Sequence, residues 1–372
     1  MKLLRVSANG FRNCVNGFGI DMIAKSKKTS EDKEYELLEI DEGLYVYSTI
    51  AIVGKNASGK TSALELMDWC YDILGTFRLA NKKCSYRGIT LEIMFYEGGF
   101  IYKYITELDN SETLKDTAIF RNQKIYKQKY YKSRLKQILE ESWMSECMES
   151  AEMPEDFSAI FIVLKKTAIR ELYYNSYAEE SSEYSNTFKL MEVANLNTEY
   201  LSYVFRIFDD KITSMKQLDE NNYYLVYKGV GQTYSDKELF RFLSSGTSKG
   251  INLYIIAVLS LRLGFDLVVD EIENHFHKTL VESLVMLYKD KKVNKKNATL
   301  IFSTHYCELL DLFHRSDNIW ITHSKDKMEI DNMYNTYGVR TELLKSKKFY
   351  QNAFDTAVNY EALMELKKEL ME

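Results

Sequence analysis

What the 372-residue chain has little of narrows its class first. Proline occurs once, at Pro154, so proline-rich linkers are excluded and a compact fold is expected. The five cysteines, Cys14, Cys70, Cys84, Cys147 and Cys307, are odd in number and include no C-x-x-C pair. That spacing argues against a disulfide framework and against a zinc site, and leaves reduced cytoplasmic thiols as the plain reading. No uninterrupted apolar run is long enough for a membrane span. The opening Met-Lys-Leu-Leu-Arg-Val turns polar by Ser7, unlike a signal peptide. A soluble, cytoplasmic chain with no membrane partner is therefore expected. Surplus basic charge is missing too: the net charge is −5, so the molecule as a whole is no polycation, although a local basic face stays open. Internal repeats are absent, and no apolar heptads are sustained, which excludes a long coiled coil.

What is present is ample apolar content, 45%, and 28 tyrosines, enough for one large domain or a core with a lobe. Residues 2–7 alternate as a strand, and Tyr35–Ile40 and Leu44–Val53 read as two more. The last ends Thr-Ile-Ala-Ile-Val, a run of the kind buried on both faces of a sheet. Helical spacing follows over Ser62–Leu74. Alternation returns from Thr90 to Glu107, with Glu97-Gly98-Gly99 as a hairpin turn. The tyrosine-rich middle is mostly helical in pattern. Beyond it, helix Lys249–Leu263, strand Phe265–Val269, helix Lys278–Lys289 and strand Thr299–Ser303 alternate. This predicts an α/β fold whose core comes from both ends of the chain. It predicts residues near 60, 246, 270 and 305 together at the carboxyl ends of parallel strands, where such sheets bind ligands.

Four short segments carry chemistry. Gly54-Lys-Asn-Ala-Ser-Gly59-Lys60-Thr61 fits G-x-x-x-x-G-K-[ST] between a buried strand and a helix. Glycines let such a loop wrap phosphates, and its N–H groups and the helix start face negative charge. Lys60 would reach the β and γ phosphates and the Thr61 hydroxyl would bind Mg²⁺, with Asn56 and Ser62 completing the binding set around Gly54 and Gly59. Phe265-Asp-Leu-Val-Val-Asp270-Glu271 is an apolar strand ending in two acids. Asp270 would hold the Mg²⁺ shell and Glu271 would act as general base, although acid pairs also start ordinary solvated loops. Leu243-Ser-Ser245-Gly246-Thr-Ser-Lys249 opens a helix whose dipole suits an anion, or is simply capped by serine. Thr299-Leu-Ile-Phe-Ser-Thr304-His305 delivers a histidine that could donate to the γ phosphate, or pack as a core histidine. The four occur in one order at strand ends and helix starts, and all suit one phosphate chemistry.

On these motifs the sequence resembles the ABC-type ATPases, and more narrowly the bacterial AAA-family, ABC-like ATPases related to OLD-family and SMC/Rad50-like proteins. Gly54–Thr61 resembles their Walker A loop, Ser244–Lys249 the signature, Val268–Glu271 Walker B and His305 the switch histidine. Asn9-Gly-Phe11-Arg12-Asn13, Asp270-Glu-Ile-Glu273-Asn-His-Phe-His277, Lys347-Lys-Phe-Tyr350-Gln-Asn352-Ala and Asn359-Tyr360-Glu-Ala-Leu363 resemble further family segments. The resemblance implies an ABC-type head with a P-loop sheet, an antiparallel β-subdomain and an inserted helical lobe. Residues 1–114 and 218–372 would form the ATPase domain and 115–217 the lobe. It implies ATP and Mg²⁺, with Glu271 and His305 catalytic. It also implies a head-to-tail homodimer in which Ser245 and Gly246 of one copy face the phosphates held by Lys60 of the other. The signature departs from Leu-Ser-Gly-Gly-Gln, Lys278 replaces a frequent proline, and no Q-loop glutamine follows Walker A. The signature, the early Asn9–Asn13 segment and the missing Q-loop glutamine count against a transporter.

Two roles fit. One is a switch ATPase that controls a separate effector, such as a nuclease or toxin, in bacterial phage defence, a role the resemblance suggests. The other is an SMC/Rad50-like DNA clamp in repair or maintenance, against which the missing coiled coil counts. Arg121–Lys136 carries seven basic residues interleaved with Tyr126, Tyr130 and Tyr131. It could track a nucleic-acid backbone, but a solvated helix face is the favoured reading.

Overall fold

The computed structural model describes residues 1–26, 36–82, 84–140, 145–148, 153–165, 171–175, 184–196, 199–274, 277–339, 344–350, 354 and 360–371. The apolar run at its centre becomes the strand Thr49–Gly54, buried at every position. Successive strand residues point to opposite faces. Ile50 and Ile52 accordingly join one core, and Ala51 and Val53 the other. The strands Asp266–Asp270 and Leu300–Thr304 are likewise fully buried. Val268 and Ile301 face the first core, while Leu267, Val269, Leu300 and Phe302 face the second.

The resulting six-stranded sheet has the order Glu171–Asn175, Asp266–Asp270, Leu300–Thr304, Thr49–Gly54, Ile319–Ser324, Met328–Asn332. The first five run parallel, and the last turns back antiparallel on Ile319–Ser324. Helix Lys60–Thr76 covers one face. Helices Ser245–Leu263 and Lys278–Lys289 cover the other. A second six-stranded sheet, antiparallel throughout, has the order Phe18–Asp21, Lys2–Asn9, Ile89–Glu97, Phe100–Asn110, Ala118–Lys129, Ser145–Met148. It packs over the Lys60–Thr76 side of the molecule.

Two contacts lock the layers. Lys2, buried on the antiparallel sheet, donates to Asp266 Oδ1 at 2.5 Å and Thr299 Oγ1 at 2.8 Å, at the entry ends of two central strands. Tyr71 donates to Asp266 Oδ2 at 2.5 Å, which satisfies the other carboxylate oxygen. Between the layers, Trp69 is 1% exposed and meets Phe11 edge-on at 5.0 Å between ring centres.

The middle of the chain departs from the expected helical lobe. Ala118–Lys129 is a strand of the antiparallel sheet, Glu171–Asn175 is an edge of the central sheet, and Ile212–Gln217 starts a three-stranded sheet. The boundary placed after residue 114 thus falls inside the antiparallel sheet. Among the described residues, the longer helices of this region, Tyr184–Val193 and Glu199–Phe208, pack against Ser245–Leu263. The sequence signal that favoured sheet was period two: Gln123 and Ile125 are buried on either side of exposed Lys124, and tyrosine favours strands. The start of Tyr35–Ile40 lies outside the described residues, and the strand there is Leu37–Asp41. Among the described residues no helix is long and apolar enough to cross a membrane.

Trp69→Ala is expected to lower unfolding stability by about 3–5 kcal/mol in urea titration, because truncating a buried tryptophan leaves a cavity between the two layers. A loss below about 1 kcal/mol would mean the layers collapse onto the gap.

Candidate phosphate site

The loop after Thr49–Gly54 requires glycine at two points. A Cβ at Gly54 would lie 2.2 Å from Thr322 Oγ1 and 2.5 Å from Ser58 Oγ. Gly59 has φ +106, a conformation that L side chains rarely adopt. Gly59 also caps helix Lys60–Thr76 without any side-chain hydrogen bond, and the first turn holds no acid. Gly59 therefore offers the free N–H groups of the helix start no side-chain oxygen, the arrangement that suits an anion.

Lys60 is 5% exposed. Its ammonium donates to the carbonyls of Gly54 (3.1 Å) and Lys55 (2.9 Å) and lies 3.5 Å from His305 Nδ1. Burial pulls its pKa below the usual lysine value, and the carboxylates of Glu271, Asp270 and Glu273 oppose that pull. The neighbouring Thr61 hydroxyl donates to Asp270 Oδ2 at 2.8 Å. Hydroxyl and carboxylate oxygens side by side are the donor set of a hard dication that takes its remaining oxygens from phosphate and water, so these residues fit Mg²⁺.

The acids stand at the carboxyl end of Asp266–Asp270. Glu271 has φ 48, a left-handed conformation that costs about 1–3 kcal/mol for a non-glycine residue. Its N–H donates to Ser303 Oγ at 2.7 Å, and the same hydroxyl donates to Asp270 Oδ1. Ser303 thus holds both acids from the adjacent strand. His305 follows on that strand, with Nε2 3.4 Å from Glu271 Oε1. Glu273, 8% exposed, accepts the His305 backbone N–H through Oε1, and its Oε2 is buried without a hydrogen bond. A cavity of about 880 Å³ joins these groups, lined by Asn56–Ser62, Glu271, His305 and Met328.

A family model described as "AAA domain, putative AbiEii toxin, Type IV TA system" matches residues 50–311, well over half of the chain. The chain belongs to this AAA-domain family. No curated protein matches it.

In this AAA-domain protein the expected residues around Lys60 come together. Asn56, Gly59, Lys60, Thr61, Ser62, Glu271 and His305 line one cavity, and Asp270 is bonded to Thr61. Gly54 contributes its carbonyl to Lys60 and its missing side chain to packing. The signature segment lies apart from this cavity. Gly246 is not among the described residues that line the cavity, although the start of its helix stands toward the carboxyl end of the sheet, where the Tyr174 hydroxyl donates to the Lys249 carbonyl. Helix Ser245–Leu263 lies on the face of the sheet opposite Lys60–Thr76. Its first turn is capped by Ser244, which has φ 63 and accepts from the Thr247 N–H at 3.3 Å. The side chain of Ser245 lies outside the described residues.

Of the remaining family-like segments, the first packs against the core. Phe11 packs on Trp69, and Arg12 pairs with Glu65 at 2.5 Å. His277 is an exposed helix cap that accepts from the Thr279 N–H. His275, Asn352 and Asn359 lie outside the described residues. Arg121–Lys136 is largely strand, and three of its cations lie over aromatic rings. Lys127 sits 4.2 Å from the Phe100 ring centre, and Lys129 and Arg134 flank Tyr131 at 5.4 and 5.5 Å.

Ser303, Glu273 and Met328 had no assigned role in the sequence. For Ser303 and Glu273 the available signal was their place inside the strand-end motifs. Met328 had none, since it comes from a hairpin beyond them. Ser303→Ala removes the hydroxyl shared by Asp270 and the Glu271 N–H. A loss of about 1–3 kcal/mol in denaturant unfolding is expected, the cost of stranding buried polar groups. No loss would show that these groups find other partners.

Proposed function

We propose that the chain binds and hydrolyses ATP, that two copies close head to tail over two nucleotides, and that this cycle controls a separate effector in bacterial antiviral defence. The observation that carries the reading is the continuous set Thr61–Asp270 and Lys60–His305–Glu271, assembled at the carboxyl ends of adjacent parallel strands.

Each residue has a defined task. The N–H groups of the loop and helix start bind the α and β phosphates, and Lys60 reaches the β and γ phosphates. Thr61 and Asp270 would hold Mg²⁺, which would offset the charge developing on the transferred phosphoryl group. Glu271 takes the proton of the attacking water as its oxygen bonds to the γ phosphorus and the bond to the bridging oxygen breaks. His305 donates a hydrogen bond to the γ phosphate. The start of helix Ser245–Leu263, with no acid in its first turn, meets that phosphate from the partner copy. The family description names a toxin and a Type IV TA system, words that fit a protein acting together with a separate partner protein.

Lys60→Ala is expected to abolish ATP binding in calorimetry, and unchanged binding would sink the site. Glu271→Gln should keep binding, lower turnover by about 10²–10⁴-fold and accumulate a dimer in light scattering with ATP and Mg²⁺. A monomer under those conditions would count against the head-to-tail model.

A further inference from the structure

We propose that Met328 is the nucleoside-contacting residue of this site: its thioether forms the apolar wall against which the ribose and base of the bound nucleotide lie. The inference rests on the nucleotide-binding reading above and deepens it by assigning the end of the cavity that the phosphate chemistry leaves unexplained.

The order of the central sheet gives the cavity a direction. Glu271 and His305 leave the ends of Asp266–Asp270 and Leu300–Thr304, on one side of the strand that feeds the phosphate loop. Met328 opens Met328–Asn332, two positions away on the other side. Lys60 leans toward His305, and Thr61 toward Asp270. The γ phosphate and Mg²⁺ therefore belong on the acidic side. A triphosphate running along the loop from that side leads its nucleoside toward Met328.

Met328 suits that position. Among the described lining residues it is the one large apolar side chain. It is half-buried, so part of its surface is open to the cavity. The Ser62 hydroxyl lies 3.9 Å from its sulfur, and a Cβ on Gly59 would come within 3.0 Å of it. It thus borders the residues at the start of the helix that cradle the nearer phosphates. Its backbone is pinned on both sides: its N–H donates to the Asn13 carbonyl at 2.8 Å and its carbonyl accepts from the Val15 N–H at 3.0 Å. A fixed backbone carrying a flexible, polarizable side chain is suited to an aromatic base, which sulfur contacts favourably.

The alternative is that Met328 only props up Gly59 and the loop. The two roles separate when ATP is compared with inorganic tripolyphosphate, which has the phosphates and no nucleoside. For Met328→Ala, and for the near-isosteric Met328→Gln, calorimetry should show ATP binding weakened roughly 3- to 10-fold with tripolyphosphate binding unchanged. Met328→Leu should keep most of the ATP affinity. Equal losses for both ligands, or no loss for either, would overturn the proposal. A wild-type protein that binds neither ligand would instead overturn the nucleotide reading beneath it.

Discussion

Everything functional in this protein depends on a sheet that has no solvated face. The central strands are apolar on both sides and covered on both, so polar groups can leave the core only where strands end. Thr49–Gly54, Asp266–Asp270 and Leu300–Thr304 run parallel and in register, so their carboxyl ends fall together. The phosphate loop, the acid pair and His305 are neighbours for that reason.

The same constraint explains how charge is tolerated near the core. Lys60 is nearly sealed from water, and its charge is sustained by two backbone carbonyls and the facing acids Glu271, Asp270 and Glu273. Asp270 is held by hydroxyls from two elements, Thr61 and Ser303. Glu271 is kept in a costly left-handed conformation by a hydrogen bond from its own N–H to Ser303. A strained acid held from outside its own loop is a common device at functional sites, where surrounding structure over-determines a conformation the residue would not choose. At the other end of the strands, Lys2, Asp266, Tyr71 and Thr299 form a buried polar joint between the two sheets. This joint ties the antiparallel layer to the frame that carries the site.

The apolar run of residues 49–53, the G-x-x-x-x-G-K-[ST] loop and the acids at 270 and 271 were legible from the sequence because each is local. A strand buried on both faces needs a continuous apolar run, and a phosphate loop needs its glycines at fixed spacing. Alternation likewise marked the hairpin Ile89–Glu97 and Phe100–Asn110. The middle carries no such local mark, because tyrosine and lysine suit both a helix surface and a sheet with one solvated side. Its period-two burial at Gln123 and Ile125 becomes plain only beside the partner strand.

The sequence by itself determined which residues form the glycine-rich loop and the polar strand ends, because loop, strand end and helix start are each encoded within a few residues of one another. Only the tertiary structure decided what surrounds them. Ser303 bridging the two acids, Glu273 accepting the His305 N–H and Met328 lining the cavity depend on strand order, a long-range property with no local signature. Strand order also carried the signature helix to the opposite face, since a helix buries its apolar side against whichever layer remains uncovered.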